Sequence, residues 1–310
     1  MTVTYLPQPR AVPLYNTPHP GLGRRIALLT NKGGVLKTAT TVFLAAALAR
    51  RGRRVCVLDM EPQGDASRRL GVLPDDHTPH GSIGDALADN TRGGATQIIV
   101  PCGWNTPEAD LIDVMPADTA LADRDLEAHL PGADTRLRRI LSGPSLATAY
   151  DYTLIDCRPN LGHLERMITA ALNGPDDGYI LPLNPDADAI AGATRAIDTV
   201  TGWADLADTT VIPLGVIVTL YDSRTIQHRQ RAGSPLLGNS GALTTTLEMC
   251  AAENPTLPGP PPVLRPYVPR NQHMAEVCDL SAPPSPHRDK RLVTEGIIGV
   301  FDQLAAQIDH

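Results

Sequence analysis

Apolar residues run almost unbroken through RIALLT (25–30) and RRVCVLD (53–59), and between them KTATTVFLAAALARRG (37–52) reads as a helix stopped by Gly52. The same apolar runs return in DYTLID (151–156), GYILPL (178–183) and VIPLGVIVTL (211–220), with helical segments expected around 119–129, 134–149, 163–173 and 187–201. Continuous apolar strands alternating with helices predict an α/β fold: a doubly wound, mostly parallel sheet with helices on both faces. Ligands of such sheets bind at the carboxyl ends of the strands.

Three stretches break the pattern. Residues 1–23 hold five prolines and little periodicity and read as a disordered N-terminal arm ahead of one domain spanning 24–310. Residues 74–110 are rich in Gly, Pro, Asp and Thr and read as loop; 232–266, with NPTLPGPPP, reads as a loop insertion. The N-terminus lacks a signal-peptide core and no run approaches the roughly 20 apolar residues of a membrane span. A soluble, cytoplasmic protein is expected.

Composition sharpens this only in places. A formal charge of −7 over 310 residues argues against a general nucleic-acid coat, while leaving room for a local basic patch. Cys56, Cys102, Cys157, Cys250 and Cys278 are scattered without ligand spacing and read as reduced thiols. Lysine is the informative residue. Only Lys32, Lys37 and Lys290 occur among 27 basic residues, and two of them fall in one short stretch, LLTNKGGVLKTATT (28–41).

That stretch has the order a phosphate loop needs: a strand, a glycine turn, then Lys37-Thr38 opening a helix. Backbone N–H groups and the helix N-terminus surround phosphates, Lys37 neutralises β/γ oxygens, and the Thr38 hydroxyl binds Mg²⁺. GLG at 21–23 precedes the strand and is no dinucleotide fingerprint.

Lys32-Gly33-Gly34-Val35-Leu36-Lys37-Thr38 resembles the deviant phosphate loop, K-G-G-x-G-K-[ST], of the ParA/MinD family of partition ATPases. The resemblance continues in DMEPQGDAS (59–67), LIDVMPAD (111–118), YDYTLIDCRPNLG (150–162), GVIVTLYDSRT (215–225) and PYVPRNQHMAE (266–276). It implies ATP and Mg²⁺ as cofactors, with Gly33 to Ala39 around the phosphates and Pro269, Arg270 and Asn271 near the base. It implies Lys32 acting across an ATP-sandwiched homodimer, Asp156 holding Mg²⁺ through a water, and Glu61 where the family positions the attacking water. Asp59 is a metal-shell or a purely structural carboxylate. The family binds DNA without sequence preference, close to the nucleoid when ATP-bound, and answers to a ParB-type centromere-binding partner. Candidate DNA contacts are Arg224, Arg229, Arg231, Arg265 and Arg270, several at helical spacing; Arg270 is claimed by both roles.

Departures from the pattern decide the alternatives. Leu36 replaces a loop glycine, and if that position needs positive φ a leucine there costs about 1 to 2 kcal/mol. Ala39 replaces a hydroxyl residue, Glu61 is a methylene longer than the family's aspartate, and Arg158 replaces a proline, able to touch phosphate or pair with a carboxylate. Slow hydrolysis is therefore expected of a plasmid or chromosome partition ATPase. Against it stand a degenerate scaffold or regulator without nucleotide, and a biosynthetic enzyme or carrier of the same superfamily. The C-terminal segment RLVTEGIIGVFDQLAAQIDH is amphipathic with an acidic or neutral polar face, so it is expected to dock on the core rather than on a membrane.

Overall fold

The computed structural model describes residues 23–72, 81–143, 149–233, 241–271, 274 and 296–309. The expected arm at 1–23 lies outside them, except for Gly23.

The strands are β1 (Arg24–Leu28), β2 (Val55–Asp59), β3 (Val100–Pro101), β4 (Ile112–Met115), β5 (Tyr152–Asp156), β6 (Gly178–Leu183), β7 (Ile212–Val218) and β8 (Val263–Leu264). They form one sheet in the order β3-β4-β2-β5-β1-β6-β7-β8, parallel throughout except for β3. The helices are α1 (Lys37–Arg50), α2 (Asp65–Arg69), α3 (Ile83–Asp89), α4 (Leu121–Leu126), α5 (Arg136–Leu141), α6 (His163–Ala171), α7 (Ala187–Leu206), α8 (Ile226–Ala232), α9 (Ala242–Glu253) and α10 (Ile297–Ile308).

Alternation along β1 explains the two-layered core. Ile26 and Leu28 join a cluster with α1 and α10, whereas Ala27 and Leu29 join one with α3, α5, α6 and α7. A side-chain period of two forces this division, and it explains why every strand residue of β2 and β6 is buried. The C-terminal helix docks on α1 as expected. Phe43 and Phe301 stack with ring centroids 4.8 Å apart, and Asp309 accepts hydrogen bonds from Arg51 and Arg53.

Strand register builds the site. β2 and β5 pair so that Asp59 stands opposite Asp156, and β1 pairs with β5 so that Leu28, the last residue before the loop, is also opposite Asp156. Two carboxylates and the glycine loop thus meet at the carboxyl edge of the central strands.

The structure differs from expectation in several segments. Residues 232–266 contain α9, whose Leu243, Leu247 and Cys250 are buried on one face at spacings of four and three, and Asn254 donates a hydrogen bond to Asp198 of α7 at 2.9 Å. Within 232–266 the proline- and glycine-rich runs flank α9, at 233–241 before it and at 255–262 leading into β8. Residues 74–110 carry α3, begun by a Ser82–Asp85 capping box, and the edge strand β3. β4 lies in the LIDVMPAD segment. Its four residues include Asp113, which accepts a hydrogen bond from Tyr150.

Candidate nucleotide site

The loop between β1 and α1 turns through two residues of positive φ, Gly34 at 74° and Leu36 at 59°. Leu36 is the residue that precedes α1, and its carbonyl accepts the first helical hydrogen bond, from Thr40 N at 2.8 Å. The loop thus keeps a left-handed turn at a position where leucine pays about 1 to 2 kcal/mol for it. Packing offsets part of this. The half-buried side chain rests on the cluster that holds Ala39 and Phe43 and also forms part of the cavity wall. Behind the loop, the buried Thr219 hydroxyl donates to Val35 O at 3.0 Å, pinning it to the end of β7.

Asp156 is the hub. Its carboxylate receives Lys37 Nζ at 2.9 Å, Thr38 Oγ1 at 2.8 Å and Thr41 Oγ1 at 2.9 Å. Burial works against the charge on Lys37, but Asp156 outweighs it and holds the ammonium above its ordinary pKa. Asp59 is fully buried and accepts from Glu61 N, Ser67 N and Ser67 Oγ, so one oxygen binds the loop after β2 and the other binds α2. Burial, then the neighbouring Asp156 charge, pushes its pKa up to about 6. Glu61 is half-buried and its carboxyl is also raised, chiefly by burial.

A cavity of about 320 Å³ opens here, lined by residues 32–39 in sequence together with Glu61, Asp65, Arg69 and Pro159. It falls within the roughly 300 to 1,000 Å³ of small-molecule sites. A larger hollow beside Asn173 and Asp208 lies at the amino ends of β6 and β7, the wrong end of the sheet for a ligand of this fold.

Two cations near the cavity are already engaged. Lys32 Nζ is 3.2 Å from Asp186 Oδ2. Arg158 forms a bidentate pair with Asp125 at 2.9 and 3.0 Å and a further bond to the fully buried Glu165, so of its two expected roles the structure takes the carboxylate pairing. Asp65 and Arg69 were not expected at the site. The only signal was their position just past the loop, in a helix too short to show a face.

The remaining candidates do not gather. Pro269 pairs with Tyr221, just past the end of β7, and Arg270 N donates to Tyr221 O; these residues and Asn271 are not among the described cavity-lining residues. Arg224 is exposed and paired with Asp222. Arg229 and Arg231 lie two positions apart on α8 and do not share a face: Arg229 folds back on Ser223 O, whereas Arg231 reaches Pro185 O. Arg265 lies over the Tyr267 ring at 5.1 Å. Of the cations expected at helical spacing, Arg229 and Arg231 point to different partners.

With the geometry established, comparison with known proteins is decisive. The sequence matches a family model described as an AAA domain over residues 23–210. It is 32% identical over 205 residues to the sporulation initiation inhibitor protein Soj of Bacillus subtilis, covering 66% of this chain and 75% of that one. It is 34% identical over 208 residues to the chromosome partitioning protein ParA of Myxococcus xanthus, covering 66% and 67%. The chain belongs to the ParA/MinD family of partition ATPases. A solved structure with the same fold is cobyrinic acid a,c-diamide synthase of Mycobacterium smegmatis with bound ADP and magnesium: TM-score 0.61, 27% identity, 84% of this chain and 93% of that one. The family fold is that of a nucleotide hydrolase. The blocks at 215–225 and 266–276 lie beyond the family model's reach and rest on their own residues.

Proposed function

We propose that this protein is a working partition switch, one that binds Mg-ATP in the loop cavity, dimerises on non-specific DNA and hydrolyses ATP slowly until a ParB-type partner stimulates it. The observation that carries this reading is Leu36: although not glycine, it adopts the left-handed turn, and Lys37, Thr38 and Asp156 converge beyond it. A turn kept at that position supports a loop still shaped to hold phosphate.

The residues present fit the cofactors. Thr38 and Asp156 offer a hydroxyl and a carboxylate oxygen, which suit a hard cation such as Mg²⁺, and Gly33 offers an open backbone, its nearest neighbour to an added Cβ being Pro159 at 4.0 Å. Thr38 and Asp156 would hold the ion, with Asp59 bracing the loop beside them. When bound, the ion screens phosphate charge and orients the terminal phosphoryl group. Lys37 would pair with phosphate oxygens, and residues 33–39 would supply backbone N–H donors. Ala39 contributes its N–H alone. Glu61 would orient water from one methylene further out than an aspartate, which supports slow turnover, since general-base geometry is exacting. Lys32 would act in the partner's site. Pro269 to Asn271 remain candidates for the base, and Arg224, Arg229, Arg231, Arg265 and Arg270 for DNA.

On this reading residues 24–310 form the ATPase domain and the protein is cytoplasmic, nucleoid-associated with ATP. Among the described residues no helix is long and apolar enough to cross a membrane. Calorimetry of Mg-ATP and Mg-ADP binding to the unaltered protein and to Leu36→Gly tests the reading, followed by ATPase assay with and without non-specific DNA. Micromolar binding by the unaltered protein is expected. Binding only after glycine is restored would move the protein to the scaffold class.

A further inference from the structure

Cations around the phosphate-loop cavity are not equivalent. Lys37 is paired with Asp156, Lys32 with Asp186, Arg158 with Asp125 and Glu165, and Arg68 with Asp65. Arg69 lines the cavity, and its guanidinium has no carboxylate partner among the described residues. Of the other acids on the wall, Asp65 is taken by Arg68.

The backbone of Arg69 is fixed. Its carbonyl accepts a hydrogen bond from Trp104 Nε1 at 2.7 Å, and its neighbours Ala66 and Leu70 join the core cluster that also holds Ala39, with α2 packed against α1. Ala39 and Arg69 both line the cavity. Ala39 has no hydroxyl to offer a phosphate lying along that turn, while a guanidinium presents a planar fork of donors matched to phosphate oxygens.

We infer that Arg69 is a phosphate-binding residue, which donates in cis to the α- or β-phosphate of the bound nucleoside polyphosphate and replaces from α2 the donor that Ala39 lacks. This rests on nucleotide binding at the cavity. Unlike Lys32, Arg69 has no ion pair among the described residues to break before it can act.

The test is calorimetry on the full chain with Mg-ATP and Mg-ADP, comparing the unaltered protein, Arg69→Ala and Arg69→Gln, with thermal unfolding of each protein without nucleotide. Loss of a charge-assisted pair should weaken both nucleotides roughly 10- to 100-fold in each variant, leaving the unfolding midpoint unmoved. Should Arg69→Ala fold poorly, Arg69→Gln, which keeps the alkyl stem, decides. Undiminished affinity in a folded variant overturns the inference, and so does loss confined to ATP, which would place the contact on the γ-phosphate. Absence of binding by the unaltered protein would instead remove the proposed function itself.

Discussion

Lys32 Nζ lies 3.2 Å from Asp186 Oδ2, an oxygen that also accepts a hydrogen bond from Asn184 Nδ2 at 2.5 Å. The lysine assigned to a partner's nucleotide is thus held at home, by the residue immediately before α7. Both side chains are partly exposed, at 35% and 44%, so the pair is weak, in the range of 0.2 to 1 kcal/mol for exposed pairs. On the proposed partition-switch reading, Asp186→Ala should lower the ATP concentration needed for dimerisation by roughly two- to five-fold, read by sedimentation velocity across an ATP series. An unchanged midpoint would mean that release of Lys32 is no part of dimer formation.

Leu36 offers a test of backbone strain apart from side-chain loss. Leu36→Ala and Leu36→Gly delete the same packing, but only glycine relieves the φ of 59°. Glycine should therefore be the more stable of the two by about 1 kcal/mol, the reverse of their order inside a helix. Urea denaturation of both variants gives the answer; an alanine variant as stable as glycine would mean that the turn is not kept in solution.

Removing Asp156 leaves the Lys37 ammonium without its counter-ion at 7% exposure. Asp156→Ala should cost about 3 to 5 kcal/mol of folding stability, as for other broken buried pairs. A double variant with Lys37→Met should recover part of that loss. If the single variant loses less than about 1 kcal/mol, water reaches the site and the pair is not truly buried.

Stability near the C-terminus should depend on pH through Asp309. Burial alone would raise its pKa, but hydrogen bonds from Arg51, Arg53 and Tyr152 hold it below the usual carboxylate range. A depressed folded pKa adds stability above the unfolded value of about 3.9 and surrenders it as pH falls through the folded value. The stability gap between the unaltered protein and Asp309→Asn should be constant from about pH 7 to pH 5 and close below about pH 4. Chemical denaturation at several pH values would show it, and a gap undiminished at low pH would assign the effect to packing rather than charge.

The central strands, α1 and the phosphate loop were legible because their signals are local: apolar runs, a glycine turn, then Lys37-Thr38. β4 was not, since four residues containing Asp113 give no apolar run, and a tertiary hydrogen bond from Tyr150 helps to hold that half-buried aspartate in the sheet. α9 was hidden by the prolines that follow it, although Leu243, Leu247 and Cys250 carry its periodicity. At the site, residue types were readable while pairings were not. Lys32 and Asp186 are 154 positions apart, and Arg158 and Asp125 are 33. Arg69 depended on the rotation of a five-residue helix, which is set by the left-handed Gly64 before it rather than by any pattern of its own.

Both margins of the sheet are blunt. β3 is two residues long and ends in Pro101, while β8 is equally short, with prolines at 260–262 before it and Pro266 after. Proline has no N–H to offer a neighbouring strand, so neither margin presents a main-chain template on which a second molecule could continue the sheet. Among the described residues the sheet's edges thus disfavour polymerisation by strand addition and leave self-association to side-chain surfaces. Contacts of that kind can answer to a phosphate coming and going, whereas a continuous backbone ladder would be indifferent to it.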